Sequence, residues 1–223
     1  MNNFLFIIEG IDGSGKTTQA GMLLERFRKM GKPVKRLKFP NYDGASSSLV
    51  KMYLAGEFGK DAEDVNAYAA SSFYAVDRYA TYKQDWENDY KNGTVLVSDR
   101  YVTSNILYQG SKLEREALSS YCDWLFDFEY NKLGLPRPTA VFFLDVPPEI
   151  SDRNVEHRNA DDGSTKDIHE ADRAYMKKCY ETAKFMCDRG DFIRIEAVKD
   201  GKMLPPEEIS ALLISKIEAI IGE

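Results

Sequence analysis

Cysteine is scarce in this chain: there are three among 223 residues, Cys122, Cys179 and Cys187. None belongs to a CxxC pair or falls at metal-ligand spacing. That excludes a disulfide framework and a thiolate metal centre, and it points to packing thiols in a reducing compartment. Histidine is scarcer still. His157 and His169 both lie in a polar stretch late in the chain, where surface residues are expected rather than a catalyst. No uncharged apolar run approaches about 18 residues, so neither a membrane span nor a membrane partner is expected. The opening Met1-Asn2-Asn3-Phe4 has no basic n-region and no cleavage site. With no secretory signal read there, the expected location is cytoplasmic. Positive charge is in deficit: 30 Lys and Arg against 36 Asp and Glu give a formal net charge of −6. Generic nucleic-acid binders carry a basic footprint, so no nucleic-acid partner is expected. Any bound anion must be met by a few well-placed cations.

What the chain does have is an ordinary globular composition, 43% hydrophobic and 30% charged. That argues against disorder, collagen and coiled coil. The length fits one domain spanning residues 1–223. Short apolar runs at residues 4–8, 34–39, 94–98, 140–144 and 192–195 read as buried strands. Helical spacing is predicted over 17–30, 46–54, 65–90, 114–132, 149–157, 167–188 and 206–221. In the first of these, Ala20, Leu23, Leu24 and Phe27 share a face, and Gly31 and Pro33 end it. Strands separated by helices pair in parallel, because a parallel crossover needs a dozen or more residues. The fold expected is α/β: a doubly wound three-layer domain with a five-stranded parallel sheet. Ligands in such sheets bind beyond the carboxyl ends of the strands. The loops at 10–17, 40–44, 99–101 and 145–148 all follow strands and are expected to converge there.

The first of those loops carries the strongest signal. Gly10-Ile11-Asp12-Gly13-Ser14-Gly15-Lys16-Thr17 matches G-x-x-x-x-G-K-[ST] in full. The glycines let the backbone N–H groups turn inward onto phosphate oxygens, with a helix dipole behind them. A buried strand before the motif and an amphipathic helix after it are the context it needs, so the fold is read as a P-loop NTPase fold. The expected ATP-binding set is Gly10, Gly13, Ser14, Gly15, Lys16, Thr17 and Thr18. Lys16 would reach the β- and γ-phosphates, and Thr17 would ligate Mg²⁺. Asp99, at the end of another strand, is placed to hold the same Mg²⁺, and Arg100 beside it is a natural oxyanion partner. No N-K-x-D guanine-reading loop follows a strand, which argues against a GTPase. A polar, Arg-flanked stretch over about 153–170, with Arg153, Arg158 and Lys166, reads as a short lid inserted in the domain.

Several segments together resemble the thymidylate kinase family. They are the P-loop with Asp12, Phe39-Pro40 after the second strand, Asp77-Arg78 on the aromatic helix, and Asp99-Arg100-Tyr101-Val102 with Ser104-Asn105 and Tyr108-Gln109-Gly110. Leu144-Asp145-Val146-Pro147-Pro148-Glu149 completes the set. The resemblance implies an ATP- and Mg²⁺-dependent transfer of phosphoryl to dTMP, and a homodimer. It places Arg78 and Arg100 on the acceptor phosphate, and Asp12 beside the acceptor sugar and phosphate. Phe39, Pro40 and Tyr42 would line the acceptor site, and Asn105 and Tyr108 the base and sugar. The aromatic that stacks on thymine would be Tyr74, where the family usually has Phe, with adjacent Phe73 as the competitor. No basic residue lies between Asp12 and Lys16, so the resemblance assigns the transition-state cations to Arg153 and Arg158. Two departures stand out. Asn41-Tyr42-Asp43 occupies a turn where many members carry an arginine, and Asp161-Asp162 place negative charge in the lid.

The chemistry fits that class. A nucleoside monophosphate is already largely dianionic near neutral pH, so it needs no general base. Catalysis reduces to alignment and charge neutralisation. Two alternatives are a deoxynucleoside kinase, whose hydroxyl acceptor needs a base, and a nucleotide-sensing module that has lost the acceptor site.

Overall fold

The computed structural model describes residues 3–162 and 172–222, with side chains for 3–156 and 172–222. Its elements run β1 (Leu5–Glu9), α1 (Lys16–Lys29), β2 (Val34–Lys38), α2 (Ser48–Leu54), α3 (Ala67–Thr81), α4 (Glu87–Lys91), β3 (Val95–Asp99) and α5 (Thr103–Tyr108). They continue with α6 (Arg115–Phe126), β4 (Ala140–Asp145), α7 (Pro148–Asp162), α8 (Arg173–Asp188), β5 (Ile193–Glu196), β6 (Val198–Lys199), β7 (Lys202–Met203) and α9 (Pro206–Ile221). The first five strands form one parallel sheet in the order β2-β3-β1-β4-β5. The expected five-stranded parallel α/β architecture is therefore present.

Strand alternation decides what each face of the sheet does. Phe6 and Ile8 of β1, Val95 and Val97 of β3, and Phe142 and Leu144 of β4 pack on one side with α1 and α9. Leu5 and Ile7, Leu96, and Val141 and Phe143 pack on the other, with residues of α5, α6 and α8. The same period carries into the functional strand ends. Asp99 follows Val95 and Val97 onto the α1 side. Glu9 follows Leu5 and Ile7 onto the α5 side. Two carboxylates at neighbouring strand ends thus face opposite layers.

The structure differs from the periodicity reading in four places. The stretch expected as a loop from Arg158 onward instead continues α7 through Asp162. Its first turns are anchored on the P-loop, and adding residues to an existing helix is far easier than starting one. The rest of the expected lid, 163–170 with Lys166 and His169, lies outside the described residues, as do the side chains of Arg158 and His157. Helix α5 was not predicted: Thr103, Asn105, Ile106, Leu107 and Tyr108 are all buried, so it shows no polar face. The β6–β7 hairpin was also missed, being only two residues per strand. Finally, the two long predicted helices each contain a π-helical turn, at Tyr82–Trp86 and Asp127–Lys132. Among the described residues no helix is long and apolar enough to cross a membrane. All three cysteines are unpaired.

Candidate active site

The carboxyl edge of the sheet opens into a cavity of about 760 Å³. Its donor end is the P-loop. Gly13 has φ +83, and a Cβ there would lie 2.2 Å from the Ser151 carbonyl oxygen, so only glycine fits. Lys16 Nζ donates to the Ile11 carbonyl at 2.8 Å and lies 3.8 Å from Asp12 Oδ1. Burial, with help from nearby Arg100, pulls the Lys16 pKa down to about 8. Thr17 Oγ1 donates to Asp99 Oδ2 at 2.6 Å. This contact exists because Asp99 points to the α1 side, where Thr17 begins the helix.

A hydroxyl beside a carboxylate is the donor set that suits Mg²⁺, which takes hard oxygen ligands, keeps several waters and needs only one or two protein groups. Among the described residues no group of three or more His, Cys, Asp or Glu could form a protein-only metal cage. The far wall of this end comes from Asn154 of α7 and Met203 of β7. Asn154 Nδ2 donates to the Gly13 carbonyl at 2.8 Å.

The acceptor end is built from side chains. Arg100 sits at φ +69, a region that non-glycine residues rarely enter. Three bonds hold it there. Its N–H donates to the Ile8 carbonyl at 3.2 Å, Ser98 Oγ donates to its carbonyl at 2.6 Å, and the next N–H, of Tyr101, donates to Glu9 Oε1 at 3.3 Å. Glu9 also accepts from Thr103 Oγ1 at 2.6 Å and Ser104 Oγ at 2.7 Å, so it ties the side chains at the start of α5 to the end of β1. Burial lifts the Glu9 pKa above the usual carboxylate value, against the pull of those two hydroxyls. Arg100 Nη2 donates to Asp12 Oδ1, and Tyr108 Oη donates to Asp12 Oδ2 at 3.1 Å. The Arg100 guanidinium also lies 4.8 Å from the Tyr108 ring centre.

Arg78 of α3 is 1% exposed yet lines the cavity. Its Nε and Nη2 donate to Glu129 at 2.7 and 2.6 Å, and its Nη1 donates to the Tyr101 carbonyl at 3.3 Å. Burial works against its charge, but Glu129 outweighs burial and holds the Arg78 pKa above the ordinary arginine value. Asp77, one residue earlier, accepts from the Asn41 N–H at 2.8 Å and from Ser46 Oγ at 2.7 Å, which pins the turn after Pro40.

The cavity brings together Asp12, Gly13, Gly15, Lys16, Thr17, Thr18, Phe39, Pro40, Tyr42, Tyr74, Arg78, Asp99, Arg100, Asn105 and Tyr108. Gly10, Ser14 and Phe73 do not line it. Ser14 is buried behind the loop, and Phe73 packs on Tyr53 and Phe58 at ring-centre distances of 6.4 and 5.5 Å. Arg153 is exposed on α7 and outside the lining. Asp145 ends β4 at this edge, as expected, but does not line the cavity; Tyr180 Oη donates to it at 2.6 Å. The sequence reading missed Glu9, Glu129, Lys38, Gln109, Asn154 and Met203. Glu9, directly before the first P-loop glycine, was legible as a carboxylate near phosphates; Glu129 gave no signal, because a lone Glu in a helix reads as surface.

A strand–loop–helix phosphate cradle, an Asp–Thr pair at its mouth and a second polar chamber facing it define the class, a P-loop phosphotransferase. The sequence model of the family "Thymidylate kinase" matches residues 8–200. The thymidylate kinase of Mycobacterium tuberculosis (strain CDC 1551 / Oshkosh) is 33% identical over 176 residues, 78% of this chain and 81% of that one. That of Plasmodium falciparum is 28% identical over 218 residues, 95% and 90% of the two chains. A probable thymidylate kinase of Pyrococcus horikoshii is 31% identical over 158 residues, 71% and 72%. The chain belongs to the thymidylate kinase family.

Proposed function

We propose that this chain transfers the γ-phosphoryl of ATP to the phosphate of dTMP, giving dTDP, with Mg²⁺ held between Thr17 and Asp99. The observation that carries this reading is one cavity with a phosphate cradle at one end and a separate cation-and-aromatic chamber at the other. Lys16 and the loop N–H groups hold the donor phosphates. Mg²⁺, when bound, neutralises charge on the transferring group. Arg100 takes the acceptor phosphate, releasing Asp12 as it does so, and Lys38 lines the same cavity close to the turn that lacks an arginine. Arg153 and Arg158 are assigned the further cations of the transition state. Tyr74 stacks on the base, since it lines the cavity and Phe73 does not.

Arg78 is assigned to the base rather than the phosphate. Its charge is already neutralised by Glu129, and it stands one helical turn from Tyr74. Asn105 joins it at the base edge. A coupled ADP-release assay across thymidine, dTMP, dUMP, dCMP and dGMP tests the reading. Turnover with dTMP is expected, and turnover confined to thymidine or to another monophosphate would overturn it.

A homodimer is part of the proposal. Tyr68, Val76 and Tyr79 on α3 are 41%, 51% and 40% exposed and fall on one helical face. Val76→Glu should convert a dimer to a monomer in sedimentation; a wild-type monomer would overturn this part. A cytoplasmic location completes the reading, together with no nucleic-acid partner, which the net charge of −6 supports.

A further inference from the structure

We propose that Glu129, which lines no part of the cavity, is a positioning residue that sets the hydrogen-bonding polarity of the base-reading wall. The proposal rests on the assignment of Arg78 and Asn105 to the acceptor base. Glu129 is 0% exposed and lies in the π-helical turn Asp127–Lys132 that follows α6. Its carboxylate reaches two cavity residues on two other helices. Oε2 and Oε1 accept from Arg78 Nε at 2.7 Å and Nη2 at 2.6 Å. Oε1 also accepts from Asn105 Nδ2 at 3.2 Å.

An ionised carboxylate only accepts, so it dictates the orientation of both partners. Asn105 must turn its NH₂ toward Glu129; the second hydrogen of that group goes to the Ser71 carbonyl at 3.3 Å. The Asn105 Oδ1 is left as an acceptor for the cavity. Arg78 gives Glu129 its Nε–H and one Nη2–H, and gives the Tyr101 carbonyl one Nη1–H. One N–H on each Nη is left as a donor for the cavity.

The wall therefore offers a donor beside an acceptor. A keto pyrimidine such as thymine presents the complement, an O4 acceptor beside an N3–H donor. Cytosine presents the reverse, an N4 donor beside an N3 acceptor. A site built to hydrogen-bond one pattern rejects the other strongly, because its buried polar groups are left unpaired. With a neutral amide in place of Glu129, the carboxylate no longer forbids the flipped Asn105, since a Gln side chain both donates and accepts, and only the Ser71 carbonyl still holds the Asn105 NH₂.

The experiment compares wild type and Glu129→Gln on dTMP and dCMP, with the ATP KM followed in parallel and folding monitored by circular dichroism. The preference for dTMP over dCMP, as a ratio of kcat/KM, is expected to fall at least tenfold while the ATP KM moves less than twofold. An unchanged ratio, even with a lowered melting temperature, would overturn the proposal by leaving Glu129 a purely structural role. If wild type itself uses no keto pyrimidine monophosphate, the proposed function fails first and separately. Where Glu129→Gln does not fold, nitrogen-15 spectra of wild type decide. The Arg78 Nε–H should stay protected and unshifted on adding dTMP while its Nη signals move. Loss of that protected signal on binding would show the pair breaking and would overturn the proposal.

Discussion

The two ends of the cavity are built by different means. At the end proposed for the donor, the groups offered to phosphate are backbone N–H groups of one loop, contiguous in sequence, and the loop depends on positive-φ glycines at 13 and 15. At the other end the lining comes from β2, α3, β3 and α5, and both arginines are already paired: Arg78 with Glu129, and Arg100 with Asp12. A triphosphate is a generic ligand that any curled backbone can hold. A particular nucleoside monophosphate needs directed side chains, and in a low-dielectric wall those must be neutralised before the ligand arrives. Pre-pairing also fixes their rotamers, so less ordering is left for binding to supply.

The sharpest way to break this contrast is Lys16→Ala. Turnover should fall by about 10²–10³-fold, because a cation aimed at developing charge is lost. A kcat close to wild type would mean that the cradle alone suffices. Arg100→Ala should raise the acceptor KM by about 10–100-fold, the worth of a charged hydrogen bond, with little effect on the ATP KM. Equal effects on both constants would erase the boundary between the two ends.

Gly13→Ala tests the donor end from the other side, through backbone alone. The clash with Ser151 and the positive φ should lower stability by about 1–3 kcal/mol, read from denaturant titration, and weaken ATP more than dTMP. The smallest expected signal is a proton. Burial pulls the Lys16 pKa down to about 8 from its ordinary 10.5. Triphosphate charge favours the protonated form, so ATP binding at pH 8 should take up roughly half a proton, and less at pH 6.5, where Lys16 is already charged. Calorimetry in buffers of different ionisation enthalpy measures this. Proton release at pH 8 would contradict the assignment of Lys16.

The same contrast explains what was readable in advance. The P-loop is local, so Gly10 to Thr17 carried its own geometry in the sequence, and the strand positions followed from apolar runs within a residue or two. Asp99 was legible as a strand-end carboxylate because a sheet edge is a defined place. Glu129 was not. Its partner Arg78 is 51 positions away, and nothing local separates a buried glutamate from a solvated one. Arg78 shows what that hides: the resemblance implied a cation for the acceptor phosphate, and the structure pairs that cation with Glu129. The polar end of α7 failed for a different reason. Once its base is anchored on the P-loop, a helix can extend without an apolar stripe, so periodicity carried no information there. Helix α5 failed for the opposite reason, being apolar or buried on every side.

The root of α7 carries one more consequence. Asn154 is bonded to the Gly13 carbonyl, and Ser151 and Val155 lie where any side chain on Gly13 would have to go. Those first two turns are clamped to the phosphate cradle as a stem is set in a socket. A swinging movement of this segment must take its pivot beyond Val155, and Arg153, rooted inside the stem, can approach a ligand only by changing its own rotamer. Cradle and helix base are thereby geared together: any shift of the loop at Gly13 would press directly on the base of the helix above it.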